Sequence, residues 1–281
     1  MIQYNLHQHS LYSDGAAEPE AYVQQALNLG FKAMGFSEHS PLPFSTTFSL
    51  KEEKVEDYIR ETERLKEKYG EQINLYRALE MDFIPGFSEN FALWREKAKL
   101  DYAIGSVHMV HPESDAGLWF IDGPERNTYD DGLQKFFGGD IKKAVKAYFY
   151  QVNRMIESQD FEIIGHMDKI KMHNQNRYFT EDELWYRNLI DETIRLIREK
   201  NLIVEVNTRG LYKKRSDRLF PDDYALRRVL ELNIPIVISS DAHKPEELNL
   251  LFESTEKHLF EMGFKAVAGF EKGTWKEISL G

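Results

Sequence analysis

Short β-type runs alternate with longer amphipathic stretches from end to end, and that alternation restricts the fold more than any other feature of the chain. Runs at 4–9, 33–38, 75–80, 102–107, 162–166, 203–207 and 235–240 read as strands. Helical patterns at 18–29, 51–69, 88–97, 141–157, 181–200, 221–232 and 246–262 fall between or after them. Consecutive strands joined through a helix run parallel, because the crossover returns the chain to start again in the same direction. The stretch Ile234-Pro235-Ile236-Val237-Ile238 is apolar on both faces, as suits a strand lying between a barrel interior and a helix layer. The rhythm breaks once, at 109–140, where five glycines and several aspartates read as a long loop. No low-complexity linker or repeat marks a second domain, so 1–281 is read as one domain with a 109–140 loop insertion near the strand ends.

The ends of these strands carry the chemistry. His7 and His9 form a His-x-His pair at the end of the first run, and alternate strand residues share a face, so both imidazoles can meet one ion. His39 falls just past the second run, Glu80 ends the third, His108 lies just past the fourth, His166 ends the fifth, and Asp241 and His243 follow the seventh. The sixth run is the exception. In a barrel of parallel strands the C-terminal ends surround one mouth, so these residues, with Asp14, converge in space although scattered in sequence. Crowded carboxylates and imidazoles repel or desolvate one another unless cations sit between them. The chain has no cysteine, which excludes disulfides, thiolate ligands and thiol nucleophiles; nitrogen and oxygen donors suit zinc, manganese or iron. A glutamate able to bridge two ions points to a multinuclear centre, which can generate hydroxide near neutral pH and clamp phosphoryl oxygens. His111, His173 and His258 read as two loop residues and one helix-surface residue.

Charge narrows the partners. With 47 Asp and Glu against 36 Lys and Arg, the formal balance is −11, a poor match for nucleic acid, whose non-specific affinity comes from neutralised phosphates. A small phosphate ester is the expected partner, met through metals and local arginines. The amino terminus lacks a basic n-region and a long apolar core, and no stretch reaches the ~18–20 apolar residues of a membrane span, so a cytoplasmic protein without a membrane partner is expected. Oligomeric state stays open.

His7-Gln8-His9-Ser10 with Ser13-Asp14-Gly15, Ser37-Glu38-His39, Glu80-Met81-Asp82, Gly105-Ser106-Val107-His108, Ile164-Gly165-His166 and Ser240-Asp241-Ala242-His243 together resemble the ordered motifs of the PHP (polymerase and histidinol phosphatase) superfamily. The resemblance implies a distorted (β/α)7 TIM-like barrel with the active site at the C-terminal ends of the strands and three divalent metal ions, zinc, manganese or iron. It places His7, His9, Glu80 and Asp241 on the first metal, Glu80, His108 and His166 on the second, and Asp14, His39 and His243 on the third. Asp241 and His243 are the implied candidates for proton transfer.

Within the superfamily, the free-standing length, Glu113 and Asn207-Thr208-Arg209-Gly210 resemble the phosphatases that hydrolyse L-histidinol phosphate in histidine biosynthesis. Arg177 and Arg209 follow the fifth and sixth runs, where a guanidinium fork can engage phosphate. Glu113 can pair with a substrate ammonium, Lys169 is a further candidate, and 213–218 forms a short basic patch. The alternatives keep the site but change the substrate, to nucleotides, oligonucleotides or phosphotyrosyl protein, or make it a non-catalytic metal-binding module.

Overall fold

The computed structural model describes residues 2–112 and 117–280; Glu113 lies outside them. Seven parallel strands form one sheet in the order β1 (Tyr4–Asn5), β2 (Ala33–His39), β3 (Asn74–Asp82), β4 (Tyr102–Ser106), β7 (Ile163–Ile164), β8 (Ile203–Asn207) and β9 (Ile236–Ser239). All six neighbouring pairs are parallel. The helices α1 (Pro19–Asn28), α2 (Val55–Tyr69), α3 (Phe91–Lys97), α5 (Ile141–Ser158), α6 (Leu184–Glu199), α8 (Asp223–Glu231) and α9 (Phe252–Met262) accompany the strands. The outer edges meet just beyond β1 and β9. There Gln8 and Ala242 form a parallel bridge, His9 N–H donates to Ala242 O (2.8 Å) and Ala242 N–H donates to His7 O (3.3 Å). The result is a nearly closed, distorted (β/α)7 TIM-like barrel, with the parallel strands expected from the alternation and the barrel form that the family resemblance implies.

The helices obey the sequence pattern. In α2 the buried residues Val55, Tyr58, Ile59, Thr62, Leu65 and Tyr69 recur at helical spacing, and the Tyr58 hydroxyl donates to Phe36 O (3.0 Å) and Ala78 O (2.9 Å), tying the helix to β2 and β3. Asp140 and Asp222 cap α5 and α8 by accepting from Lys143 N (3.0 Å) and Ala225 N (2.9 Å). Among the described residues no helix is long and apolar enough to cross a membrane.

Three features differ from the sequence reading. First, β1 is much shorter than 4–9, because the Tyr102 hydroxyl takes Leu6 O, and Gln8 N–H turns to Ser37 Oγ (3.0 Å). Second, β10 (Ala266–Glu271) and β11 (Thr274–Ser279) form an antiparallel hairpin that no expectation covered. Its turn residues Lys272 and Gly273 both have positive φ, the requirement of a tight hairpin loop. Phe270 and Trp275 pack on Tyr102 with ring centroids 5.7 and 6.0 Å away, and the Tyr4 hydroxyl donates to Ala268 O (2.7 Å). The hairpin therefore plugs the N-terminal end of the barrel.

Third, 109–140 is not a loop. It contains the pair β5 (Met109–Val110) and β6 (Trp119–Phe120) and the helix α4 (Arg126–Phe137). The short helix α7 (Arg209–Tyr212) follows β8. In α4, Tyr129, Leu133 and Phe137 are buried at a spacing of four, with the Trp119 indole against Tyr129 (4.9 Å) and Phe137 (5.4 Å). The glycines that suggested a loop have specific duties: Gly138 ends α4 in the left-handed region, and Gly132 makes room for Trp119.

A Cβ at Gly132 would lie 2.0 Å from Trp119 Cδ1. Helix propensity alone predicts that Gly132→Ala stabilises by about 1 kcal/mol, whereas the overlap predicts a loss of about 1–3 kcal/mol. The expected outcome is a lower thermal midpoint; a raised one would show that Trp119 yields freely.

Candidate metal centre

Glu80 lies in the inward-facing part of β3, 1% exposed, and five imidazoles surround its two oxygens. Oε1 is 2.8 Å from His166 Nε2 and 3.3 Å from His108 Nε2, and accepts from Ser106 Oγ (2.7 Å). Oε2 is 3.1 Å from His39 Nδ1, 3.2 Å from His7 Nε2 and 3.5 Å from His9 Nε2. Parallel pairing places His39 opposite Glu80 in register. The others arrive from the ends of β1, β4 and β7.

Two further carboxylates complete the cluster. Asp241 Oδ1 is 3.4 Å from both His9 Nε2 and His243 Nδ1, and Asp14 lies 3.1 Å from His243 Nε2 and 3.7 Å from His39 Nε2. Ligand atoms of His9, Asp14, His39 and His243, of His7, His9 and Asp241, and of His39, Glu80 and His108 fall into three groups, each within 4.8 Å. The donor chemistry fits divalent cations: His7 Nε2, His9 Nε2 and His39 Nδ1 are buried without a hydrogen-bond partner while aimed at carboxylate oxygens.

The imidazoles and carboxylates of the cluster shift one another strongly. Burial opposes ionisation of Glu80, yet His7, His108 and His39 hold its carboxyl well below the usual range. Burial likewise opposes charge on His7, but Glu205, Glu80 and Asp241 raise it well above. His9 moves the other way, pushed down by burial and by His39 and His243.

The cavity above this cluster is about 280 Å³, and Asp14, His39, His108, Asp241, His243 and Arg209 are among the residues lining it. Arg209 Nη1 donates to Asp241 O (2.7 Å), the Tyr212 hydroxyl faces the same oxygen at 3.3 Å, and Asp241 adopts a left-handed φ of 49°. Arg177 does not line the cavity. Its fork is committed to Asp130 (2.8 and 2.7 Å) and to His173 O (2.7 Å), which fastens α4 to the segment after β7. His173 shares that duty by meeting Gly123 O (2.7 Å), and His258 pairs with Asp223 (2.8 Å). In the basic patch Lys213 is bound to Glu247 and Arg218 lies 3.7 Å from Glu181, while Arg215 reaches the cavity.

Three residues of the site carried too little sequence signal. Glu205, mid-strand in β8 and fully buried, meets His7 Nδ1 (2.5 Å) and His166 N–H (2.7 Å); the signal was a lone acid in an apolar strand. Asp122, from the insertion, lies 3.1 Å from Lys169 Nζ and 3.8 Å from His108 Nε2. Phe120 stacks on Phe48 (5.6 Å) to give the cavity an aromatic wall.

The PHP domain model matches residues 5–209. The chain belongs to the PHP domain family. It is 26% identical over 246 residues to the histidinol-phosphatase of Bacillus subtilis, covering 83% of this chain and 90% of that one. The fold is shared with a histidinol phosphate phosphatase of Lactococcus lactis solved with zinc, L-histidinol and phosphate, at a TM-score of 0.67, 20% identity and coverage of 97% and 98%. A proposed histidinol phosphatase of Listeria monocytogenes superposes at 0.79 with 22% identity, covering 89% of this chain and 99% of that one.

Zinc or manganese added to chelator-treated protein should raise its unfolding midpoint, since ligand at 100 times its Kd adds about 2.7 kcal/mol. The shift should grow as pH rises, because His7 and His108 are both raised and must lose protons to bind. Glu80→Ala should abolish most of it; a full shift in that variant would remove Glu80 from the centre.

Proposed function

We propose that the chain is a metal-dependent phosphomonoesterase hydrolysing L-histidinol phosphate to L-histidinol and phosphate, a step of histidine biosynthesis. The observation that carries this reading is the convergence of six imidazoles and three carboxylates beneath a cavity of about 280 Å³, sized for one small ester rather than for a strand-tracking groove. Similarity to histidinol phosphatases over nearly the whole chain supports the choice of ester.

His7, His9, Glu80 and Asp241 are the proposed holders of a first cation, Glu80, His108 and His166 of a second, and Asp14, His39 and His243 of a third. Divalent ions bound there would supply Lewis acidity, lowering the pKa of water and neutralising phosphoryl charge. Arg209, 14% exposed and on the cavity wall, offers its guanidinium to the phosphate. Lys169 Nζ lies 3.7 Å from Asp241 Oδ2 and adds positive charge on the same side. Despite burial, Asp241 is held ionised by Arg209, His7 and Lys169, which suits holding a cation and accepting a hydrogen bond that orients attacking water. His243, at the rim with 14% exposure, suits passing a proton to the departing alkoxide. Glu113 is assigned to the substrate ammonium on its charge alone, and Arg177 keeps only an indirect part, through α4. The proposal takes 1–281 as a single barrel domain with the insertion at 109–140, acting in the cytoplasm.

The deciding experiment compares kcat/KM for histidinol phosphate, a nucleoside monophosphate and a phosphodiester on one metal-loaded preparation. Preference for either of the latter two would overturn the substrate. Arg209→Ala should lower kcat/KM for histidinol phosphate by ~10²-fold or more while metal content holds, because the Tyr212 hydroxyl still faces Asp241 O. Metal lost together with activity would make Arg209 a structural residue.

A further inference from the structure

We propose that Glu205 is a positioning residue for the metal centre: its carboxylate orients His7 and His166 together, so that one buried group in β8 sets donors belonging to two of the proposed cation sites. The inference rests on the reading that these histidines hold metal.

The strand Ile203-Val204-Glu205-Val206-Asn207 turns alternate residues to the barrel interior, and Glu205 is buried there with no exposed surface. A carboxylate in such a place is tolerated only when both oxygens are satisfied. Here the donors can be named. Oε1 receives His7 Nδ1–H (2.5 Å) and the Ser239 hydroxyl. Oε2 receives the backbone N–H of His166 (2.7 Å) and Asn207 Nδ2–H (3.2 Å). Two of the four donors belong to proposed metal ligands that come from the ends of different strands.

Each contact has its own consequence. An ionised carboxylate only accepts, so the bond fixes a proton on His7 Nδ1. The lone pair is thereby left on Nε2, which faces Glu80 Oε2 at 3.2 Å. At His166 the bond acts on the backbone. This residue has a φ of 22°, a conformation that side-chain-bearing residues adopt only when their surroundings enforce it. The grip of Glu205 on its N–H holds the turn that brings His166 Nε2 within 2.8 Å of Glu80 Oε1. Glu205 does not itself line the cavity, so its influence on a substrate passes through the two imidazoles.

Glu205→Gln keeps the shape but exchanges one oxygen for an amide NH2, which sets donor against donor at either His7 or His166. Zinc affinity, measured by competition with a chromophoric chelator at fixed pH, should fall by roughly 10- to 100-fold, with cooperative unfolding of the metal-free protein retained. Long-range 1H–15N correlation spectra of the zinc-loaded wild-type protein should show His7 protonated at Nδ1, an observation independent of whether the variant folds. Wild-type affinity in Glu205→Gln, or a His7 proton on Nε2, overturns the role of Glu205. A wild-type protein that binds no zinc overturns instead the reading on which this inference stands.

Discussion

A single carboxylate, that of Glu80, is the constraint around which the barrel mouth is arranged. An ionised group this deeply buried needs positive charge or strong donors on every side, and the nearly closed sheet supplies them by directing one strand end after another toward it. The register of β2 against β3 sets His39 opposite Glu80. Ser106, at the end of β4, donates to Oε1. A slip of one residue would turn these side chains to the other face of the sheet, so the pairing register and the chemistry of the mouth are specified together.

Much of this was legible in the sequence for a physical reason. Parallel strands buried on both faces leave continuous apolar runs, and polar groups tolerated inside them collect at the ends, where His7, His39, His108 and Asp241 stand out. What escaped notice lies where that rule fails. Glu205 sits in the middle of its strand, satisfied mostly by residues remote in sequence, His7, His166 and Ser239. Asp122 reaches the cavity from an insertion whose glycines hid a helical repeat of Tyr129, Leu133 and Phe137. Arg177 follows a strand, as Arg209 does, but the nearby Asp130 claims its guanidinium, a competition that spacing alone does not reveal. The hairpin Ala266–Glu271 and Thr274–Ser279 was hidden because it is antiparallel and its second strand is largely exposed, so it falls outside the alternation of buried strand and helix.

The insertion and the segment after β7 form a unit of their own. Asp130 with Arg177, Gly123 with His173 and Gln175 with Arg126 bind the two together, and between them they place Phe120, Asp122 and Lys169 on one wall of the cavity. Strand-end groups such as Asp14, His39 and His243 line the same cavity. The wall of Phe120, Asp122 and Lys169 comes from a different part of the chain than Glu80, yet it touches the donor set, since Asp122 lies 3.8 Å from His108 Nε2 and Lys169 Nζ 3.7 Å from Asp241 Oδ2.

The seam where the barrel closes has a further consequence. One parallel bridge, Gln8 to Ala242, joins the beginning of the chain to the last barrel strand, and β1 itself pairs with β2 over two residues only. On either side of that bridge stand His7 and His9, and Asp241 and His243. An ion shared between the two pairs would act as a cross-link spanning nearly the whole polypeptide, fastening the amino-terminal segment at the point where the hydrogen-bond ladder is thinnest. The site would then be a clasp as well as a centre of chemistry: peeling away the first strand would require emptying it, and protection of the seam from hydrogen exchange would report its occupancy.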